Sequence, residues 1–108
     1  MNKKEAKEAY KLQKKIGGIV AYENKDLNKI YIDLTQDLMG AKNRYAFSQK
    51  TGLGLPMAII EDFKKYDFDF YILEELEQTE SQSAQEFKED LLVLKDLWLL
   101  KLADRDLY

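Results

Sequence analysis

The chain begins with a polar segment and then changes to short runs in which apolar and polar residues alternate. Residues 3–14 are mostly good helix formers with weak helical periodicity, so we expect a helix there that the following glycine pair ends. Two β-rich runs follow at 16–23 and 29–33, and the polar residues 24–28 between them have the composition of a turn. The pattern predicts a β-hairpin.

Two helices are predicted after the hairpin. Thr35 is placed to act as the N-cap of a helix that runs to about Ser48, and Pro56 stands where prolines open helices. Four residues of the first helix fall on one side at helical spacing: Leu38, Ala41, Tyr45 and Ser48. We expect that side to be buried.

A third strand and a long final helix complete the pattern. Residues 67–76 alternate aromatic and acidic positions, which predicts a strand. Ser83 and Glu86 form a capping-box pattern before a leucine-rich helix that ends near Leu102. Its expected buried stripe is Phe87, Leu91, Leu94 and Trp98. Further leucines on its other sides indicate that this helix is either central in the core or part of a dimer interface.

Together these elements predict an α+β fold with a small three-stranded antiparallel or mixed sheet flanked by helices, and with an extra N-terminal helix. The chain has 108 residues, which is near the commonest domain size. We divide it into a basic helical arm (1–15), one domain (16–102) and a tail (103–108).

The composition excludes several kinds of chemistry. The chain has no cysteine and no histidine, so disulfides, thiolate or imidazole catalysis and nearly all zinc sites are excluded. Any catalysis must use carboxylates, Tyr, Lys, Arg or an oxygen-bound metal. No signal peptide and no membrane-spanning run are visible, and we therefore expect a cytoplasmic protein with no membrane partner.

Charge is segregated along the chain. The net charge is −3, which argues against a purely electrostatic nucleic-acid binder. Residues 1–15 hold six lysines against two glutamates, whereas residues 74–96 hold eight acidic residues against two lysines. Two solvated helix faces are the simpler interpretation, and separate binding partners for the two segments are the alternative.

The hairpin carries a pair of tripeptides at a recognisable spacing. Gly18-Ile19-Val20 and Tyr31-Ile32-Asp33 stand where the GIY-YIG nuclease superfamily has its two name-giving motifs, and this chain resembles that superfamily over residues 16–102. Residues 43–48 resemble small stand-alone bacterial members. The resemblance implies hydrolysis of a DNA phosphodiester by motif tyrosines, a helix arginine and a glutamate that holds a divalent metal.

Most of the residues implied by the resemblance are replaced. The first tyrosine falls on Val20, the second on Tyr31, the motif glycine on Asp33, the arginine on Ala41 and the glutamate on Lys95, which is one match among five. A lysine ammonium repels Mg²⁺ by about 2 kcal/mol at ~4 Å even in water. We therefore expect the family's catalysis to be lost, with no metal and no cofactor.

A relocated active site is the alternative. Tyr22 lies two residues after Val20 on the same side of a strand, and Arg44 lies one helical turn after Ala41. The candidate catalytic residues are then Tyr31, Tyr22 and Arg44, with Mg²⁺ or Mn²⁺ if the site is active. The simpler interpretation is that the tyrosines pack in the core and that Arg44 forms a surface ion pair with Asp37 or a nearby acid.

Three functions of the domain remain open, and phosphate affinity carried by the lysine-rich arm alone is a fourth. The first is a nuclease-fold domain without catalysis that acts as a nucleic-acid-binding or protein-interaction module. The second is an active metal-dependent DNA endonuclease, and the third is a dimerisation module that uses the C-terminal helix. DNA would be bound through four basic residues: Lys25, Lys29, Lys42 and Arg44. A weaker possibility is a hard cation held by Asp67 and Asp69, for which an exposed polar surface is the simpler interpretation.

Overall fold

The computed structural model describes residues 15–108. Its elements are β1 (Ile16–Asn24), β2 (Lys29–Thr35), α1 (Leu38–Thr51), α2 (Ile60–Phe63), β3 (Phe68–Glu77), α3 (Ala84–Lys101) and β4 (Asp106–Leu107). The predicted α+β class is confirmed. The helix predicted at 3–14 lies outside the described residues.

The strands form one mixed four-stranded sheet in the order β3-β1-β2-β4. β1 is antiparallel to both β2 and β3, and β4 runs parallel to β2. The sheet thus has one strand more than the three that the sequence predicts. The extra strand comes from the segment expected to be a tail, where the backbone N–H of Tyr108 also donates to the carbonyl of Ile30 at 3.0 Å.

The hairpin is closed by a buried asparagine. The side-chain oxygen of Asn24 accepts hydrogen bonds from the backbone N–H groups of Asp26 at 3.1 Å and Leu27 at 3.0 Å. Asn28 then takes a left-handed conformation with φ 52°, which asparagine tolerates better than most residues. The turn therefore holds β1 and β2 in a register that pairs Tyr22 with Tyr31 and Val20 with Asp33.

Alternation along the strands gives the sheet two different faces. We call the side with Ile19, Ala21, Ile30 and Ile32 the aliphatic face, and all four are buried. α3 packs on this side. The ring of its Phe87 lies so close to Gly17 that a Cβ added to that glycine would be only 2.9 Å away. Gly17 is required there because that same Cβ would lie 2.4 Å from the carbonyl oxygen of Thr35.

The opposite side, which we call the aromatic face, carries Tyr22, Tyr31, Phe68 and Phe70. Tyr45 of α1 stacks on Phe70 at 4.8 Å between ring centroids, and its hydroxyl donates to the carbonyl of Phe68 at 3.2 Å. Residues from the α1–α2 connection extend this cluster, among them Leu55 and Ile59. The sheet is therefore sandwiched between α1 and α2 on one side and α3 on the other.

The first helix begins at a different cap from the one predicted. The side chain of Asp37, not of Thr35, accepts the backbone N–H of Gly40 at 3.0 Å. Thr35 instead supports that cap, because its hydroxyl oxygen accepts the N–H of Asp37 at 3.1 Å. The helix continues to Thr51 rather than ending near Ser48, and its predicted buried side is confirmed.

The later elements follow the predictions in part. Pro56 does not open a helix, because α2 begins four residues later and is a single turn, whereas β3 covers nearly the whole predicted strand. Of the predicted buried stripe of α3, Phe87 and Leu91 are buried but Leu94 and Trp98 are only half-buried. At the start of α3, both halves of the predicted capping box are present between Ser83 and Glu86. Local capping chemistry is thus enough to place the beginning of α3.

Candidate functional site

Tyr22 and Tyr31 lie side by side on the aromatic face. They are direct partners in the β1–β2 register, and their ring centroids are 6.1 Å apart. Both side chains are half-buried. Tyr22 also contacts Phe70 at 5.2 Å between centroids, so packing holds its ring in place. This cross-strand packing is what the simpler sequence interpretation predicts.

Arg44 lies on α1, the helix that packs on the aromatic face. Its side chain is exposed, and its positive charge lowers the pKa of Tyr22. One guanidinium nitrogen would lie 3.4 Å from a Cβ on Gly40, near the Asp37 cap, although within residues 15–108 no ion pair joins Arg44 to Asp37 or to another acid. The structure therefore pairs Tyr22 directly with Tyr31, whereas Arg44 acts on Tyr22 through its charge.

Asp33 opposes any activation of these tyrosines. Burial is the main cause that raises the pKa of Tyr22 and of Tyr31, and the negative charge of Asp33 raises both further. The Asp33 carboxylate accepts the backbone N–H of Leu34 at 2.8 Å, which holds it in position. The two phenols therefore stay protonated at neutral pH and are donors rather than bases.

Two of the replaced positions have become core. Val20 and Ala41 stand where the resemblance implies a tyrosine and an arginine, and both side chains are buried. Neither position leaves room at the surface for a polar group. The candidate groups for catalysis are therefore displaced along the chain: Tyr22 lies two residues after Val20, and Arg44 lies three residues after Ala41.

The position where the resemblance implies a glutamate lies on the opposite side of the sheet from the two tyrosines. Lys95 is half-buried on α3, the helix that packs against the aliphatic face. Nearby on α3, the indole N–H of Trp98 donates to the Glu74 carboxylate of β3 at 2.9 Å. Sequence reasoning missed Glu74, although a half-buried indole always needs an acceptor. Among residues 15–108, no group of three or more carboxylates is arranged to hold a metal ion.

Two of the four basic residues proposed to bind DNA already have partners. Lys25 pairs with Asp67 at 3.1 Å and with Asp69 at 3.5 Å, and a hydrogen bond to Asp67 is the main cause that raises its pKa. The ammonium of Lys29 lies 4.5 Å from the ring centroid of Tyr108. Lys42 and Arg44 are exposed. The Lys25 ammonium therefore occupies the position between Asp67 and Asp69 where the sequence offered a weak candidate site for a hard cation.

The outer side of α3 is apolar. Val93, Leu97 and Leu100 follow at helical spacing, and 61 %, 49 % and 74 % of their surfaces are exposed. We call these three residues the α3 stripe. Phe87 and Leu91 point inward and are fully buried. The helix is therefore not central in the core, since one side packs on the sheet and the other faces solvent.

Within the part of the chain that the structure describes, no helix is long and apolar enough to cross a membrane. Comparison of the whole chain with protein families, with curated proteins and with solved structures finds no match.

Proposed function

We propose that this chain is a GIY-YIG-type domain that has lost phosphodiester hydrolysis and acts as a protein-interaction module. The observation that carries the interaction role is the α3 stripe, in which three large apolar side chains on one side of a helix face solvent. Scattered apolar residues on a surface are ordinary, whereas a stripe at helical spacing is typical of a binding surface.

The order of elements supports the family assignment. An antiparallel hairpin carries the two tripeptides, a helix follows it, and a third strand pairs with β1 before a closing helix. Val20 and Tyr31 lie on the same face of that hairpin, because Val20 is paired with Asp33 and Tyr31 lies two residues before Asp33. This is an arrangement in which a two-tyrosine site would be assembled.

The chemistry of the same site supports loss of hydrolysis. Raised pKa values keep Tyr22 and Tyr31 protonated, and Asp33 places a negative charge where a phosphate would approach. Removing a positioned acid or base typically lowers a rate by roughly 10²- to 10⁴-fold. The replacement of a metal-binding carboxylate by Lys95 acts in the same direction.

The distribution of charge favours a protein partner over DNA. Lys25 is neutralised by two aspartates and Lys29 lies on an aromatic ring, so two of the four basic residues proposed to bind DNA are already engaged. Affinity for DNA depends chiefly on cations that neutralise phosphates. Apolar contacts such as those of the α3 stripe depend far less on charge.

Site-specific crosslinking tests the interaction role. Because the chain has no cysteine, Glu89→Cys and Asn43→Cys each give one position for a benzophenone-maleimide label. Glu89 is exposed and lies one helical turn before Val93, so it reports on the α3 stripe without replacing a stripe residue, and Asn43 is exposed and adjoins Arg44, so it reports on the tyrosine side. We expect protein adducts from position 89 and none from position 43. Adducts from position 43 alone would move the binding surface to the tyrosine face and would contradict the proposal.

An active endonuclease is the second candidate, and one observation favours it. Tyr22 is directly paired with Tyr31, and Arg44 lies close enough to influence Tyr22 electrostatically. In such a site, the phenols would position the attacking water and the guanidinium would neutralise charge on the phosphoryl oxygens. Mg²⁺ or Mn²⁺ would have to supply the remaining positive charge.

Cleavage of supercoiled plasmid separates the two candidates. We expect no nicking by the purified protein with Mg²⁺ or with Mn²⁺. Nicking that disappears in both Tyr31→Phe and Arg44→Ala would establish the relocated endonuclease site. Nicking that persists in Tyr31→Phe would indicate a contaminating nuclease. Titration of labelled duplex and single-stranded DNA at low salt gives the complementary measurement, and we expect only weak binding that Arg44→Ala reduces further.

A further inference from the structure

The α3 stripe faces solvent, and we propose that a second copy of this chain covers it. The two α3 helices would pack antiparallel about a twofold axis, so that Val93 of each copy meets Leu97 of the other. A twofold contact needs only one self-complementary patch. This inference rests on the proposed interaction role of the stripe and names its partner.

The spacing of the stripe suits antiparallel packing. At 1.5 Å per residue, a twofold axis that passes between residues 95 and 96 places the stripe residues of the two copies at alternating heights. Val93 and Leu97 of one helix then lie between the apolar side chains of the other. Such interleaving of side chains is how helices pack at close distance.

The charges beside the stripe also select the antiparallel arrangement. Asp90 lies in the second turn of α3, where it accepts a hydrogen bond from the Gln82 amide, and Lys101 is the last residue of the helix, with its ammonium 4.5 Å from the ring centroid of Trp98. Both side chains remain exposed. Asp90 and Lys101 lie 11 residues apart on the same edge of the stripe, because 11 residues complete about three turns. In an antiparallel pair, Lys101 of each copy comes next to Asp90 of the other. A parallel pair would place like charges together.

The opposite edge of the stripe limits the affinity. Asp96 is exposed on that edge, and the twofold axis brings the two Asp96 carboxylates to the same height. The stripe has only three residues per copy, whereas standard stable interfaces use roughly 20–30 residues a side. We therefore expect a weak dimer that is populated above about 100 µM.

Sedimentation equilibrium over a range of concentrations tests the proposal. We expect wild-type protein to associate reversibly, and Leu97→Ser to remain monomeric at every concentration. Leu53→Ser is the matched control, since Leu53 is also a large exposed residue, 61 % accessible, but lies outside α3. Circular dichroism and the melting temperature verify that each variant is folded.

Charge exchange tests the orientation. Lys101→Glu should weaken the dimer about tenfold, and Lys101→Glu combined with Asp90→Lys should restore it. Asp96→Asn should strengthen the dimer, because it removes the like-charge pair. A parallel arrangement predicts no restoration by the double exchange.

Each contrary result has a distinct meaning. A wild-type chain that stays monomeric, a dimer that Leu97→Ser leaves intact, or a double exchange without restoration would overturn the proposed dimer. If the monomeric chain still crosslinks from position 89 to a different protein, the interaction role stands and only the identity of its partner is wrong. If position 89 gives no adduct, the interaction role itself fails.

Discussion

The two faces of the sheet differ in how completely they exclude water. On the aliphatic face, Ile19 and Ala21 are fully buried, and so are Phe87 and Leu91 of the helix that covers them. On the aromatic face, Tyr22 and Tyr31 remain half-buried even though packed rings surround them. Two hydroxyl groups thus lie at the boundary between the core and solvent on the aromatic face, whereas the aliphatic face has one such group among the described residues, the half-buried Tyr71 beside Glu23 and Arg105.

This difference separates the residues that stabilise the fold from those that bear reactive groups. A fully buried apolar side chain contributes most to stability, because all of its surface leaves water on folding. A half-buried tyrosine contributes less, but its hydroxyl stays accessible.

The largest expected effect on stability comes from truncating one phenylalanine on each face of the sheet. Phe87→Ala should lower the free energy of unfolding by about 3–5 kcal/mol, because it leaves a cavity against Gly17 and the sheet. Phe70→Ala should cost about half as much, since Phe70 is only half-buried and its surroundings can relax or admit water. Urea denaturation of the two variants measures both values. Equal losses would mean that the two faces contribute equally.

A smaller effect tests whether polar groups of the aromatic face also carry stability. Asn24→Ala removes the acceptor for two backbone N–H groups of the turn and the donor to the Tyr108 hydroxyl at 3.0 Å. We expect a loss of about 1–3 kcal/mol, because Asn24 is fully buried and its partners lose their hydrogen bonds. Asn43→Ala, at an exposed position of α1, is the control and should change little.

Alkaline pH should weaken the packing around Tyr22. Burial, with help from Asp33, raises the pKa of Tyr22 in the folded protein above its value in the unfolded chain. The folded state therefore prefers the protonated phenol. This contribution to stability is complete below the unfolded pKa of about 10 and is lost as the pH rises through the higher folded value.

Denaturation curves measured from neutral to strongly alkaline pH check this prediction. Tyr22→Phe should lose less stability across that range than the wild-type chain does, because the buried phenol that must ionise is gone. A steeper loss in Tyr22→Phe than in the wild type would contradict the assigned direction of the shift.

The smallest expected effect concerns Asp33 itself. Asp33→Asn should lower the pKa values of Tyr22 and Tyr31 towards their ordinary range, although both stay raised because burial is the larger cause. Absorbance of the phenolate during alkaline titration measures the change. Asp104→Asn, at an exposed position, is the matched control. Unchanged tyrosine titration in Asp33→Asn would show that Asp33 does not act on this pair.

Several elements could be predicted because neighbouring residues alone determine them. The buried side of α1 follows from helical spacing at Leu38, Ala41 and Tyr45, and the start of α3 follows from the capping box at Ser83 and Glu86. Strand periodicity correctly put Tyr22 and Tyr31 on one face, since the side chains of a strand alternate. In each case the information lies within a few residues.

Other features depend on contacts between distant parts of the chain. The indole of Trp98 donates to Glu74 across 24 positions, and no local pattern indicates such a pair. Asp37 rather than Thr35 caps α1, because β2 continues through Thr35 and Asp37 is the next carboxylate along the chain. Tertiary pairing thus overrode a reasonable local choice.

The sequence by itself determined the α+β class, the hairpin, the buried side of α1 and the beginning of α3, because periodicity and capping are local properties. Only the tertiary structure decided that the last residues join the sheet. There the Tyr108 hydroxyl donates to Asp62 at 2.7 Å and accepts from Asn24 at 3.0 Å, which ties three separate segments together. It also decided which leucines of α3 face solvent, because that depends on where the sheet lies rather than on the helix alone.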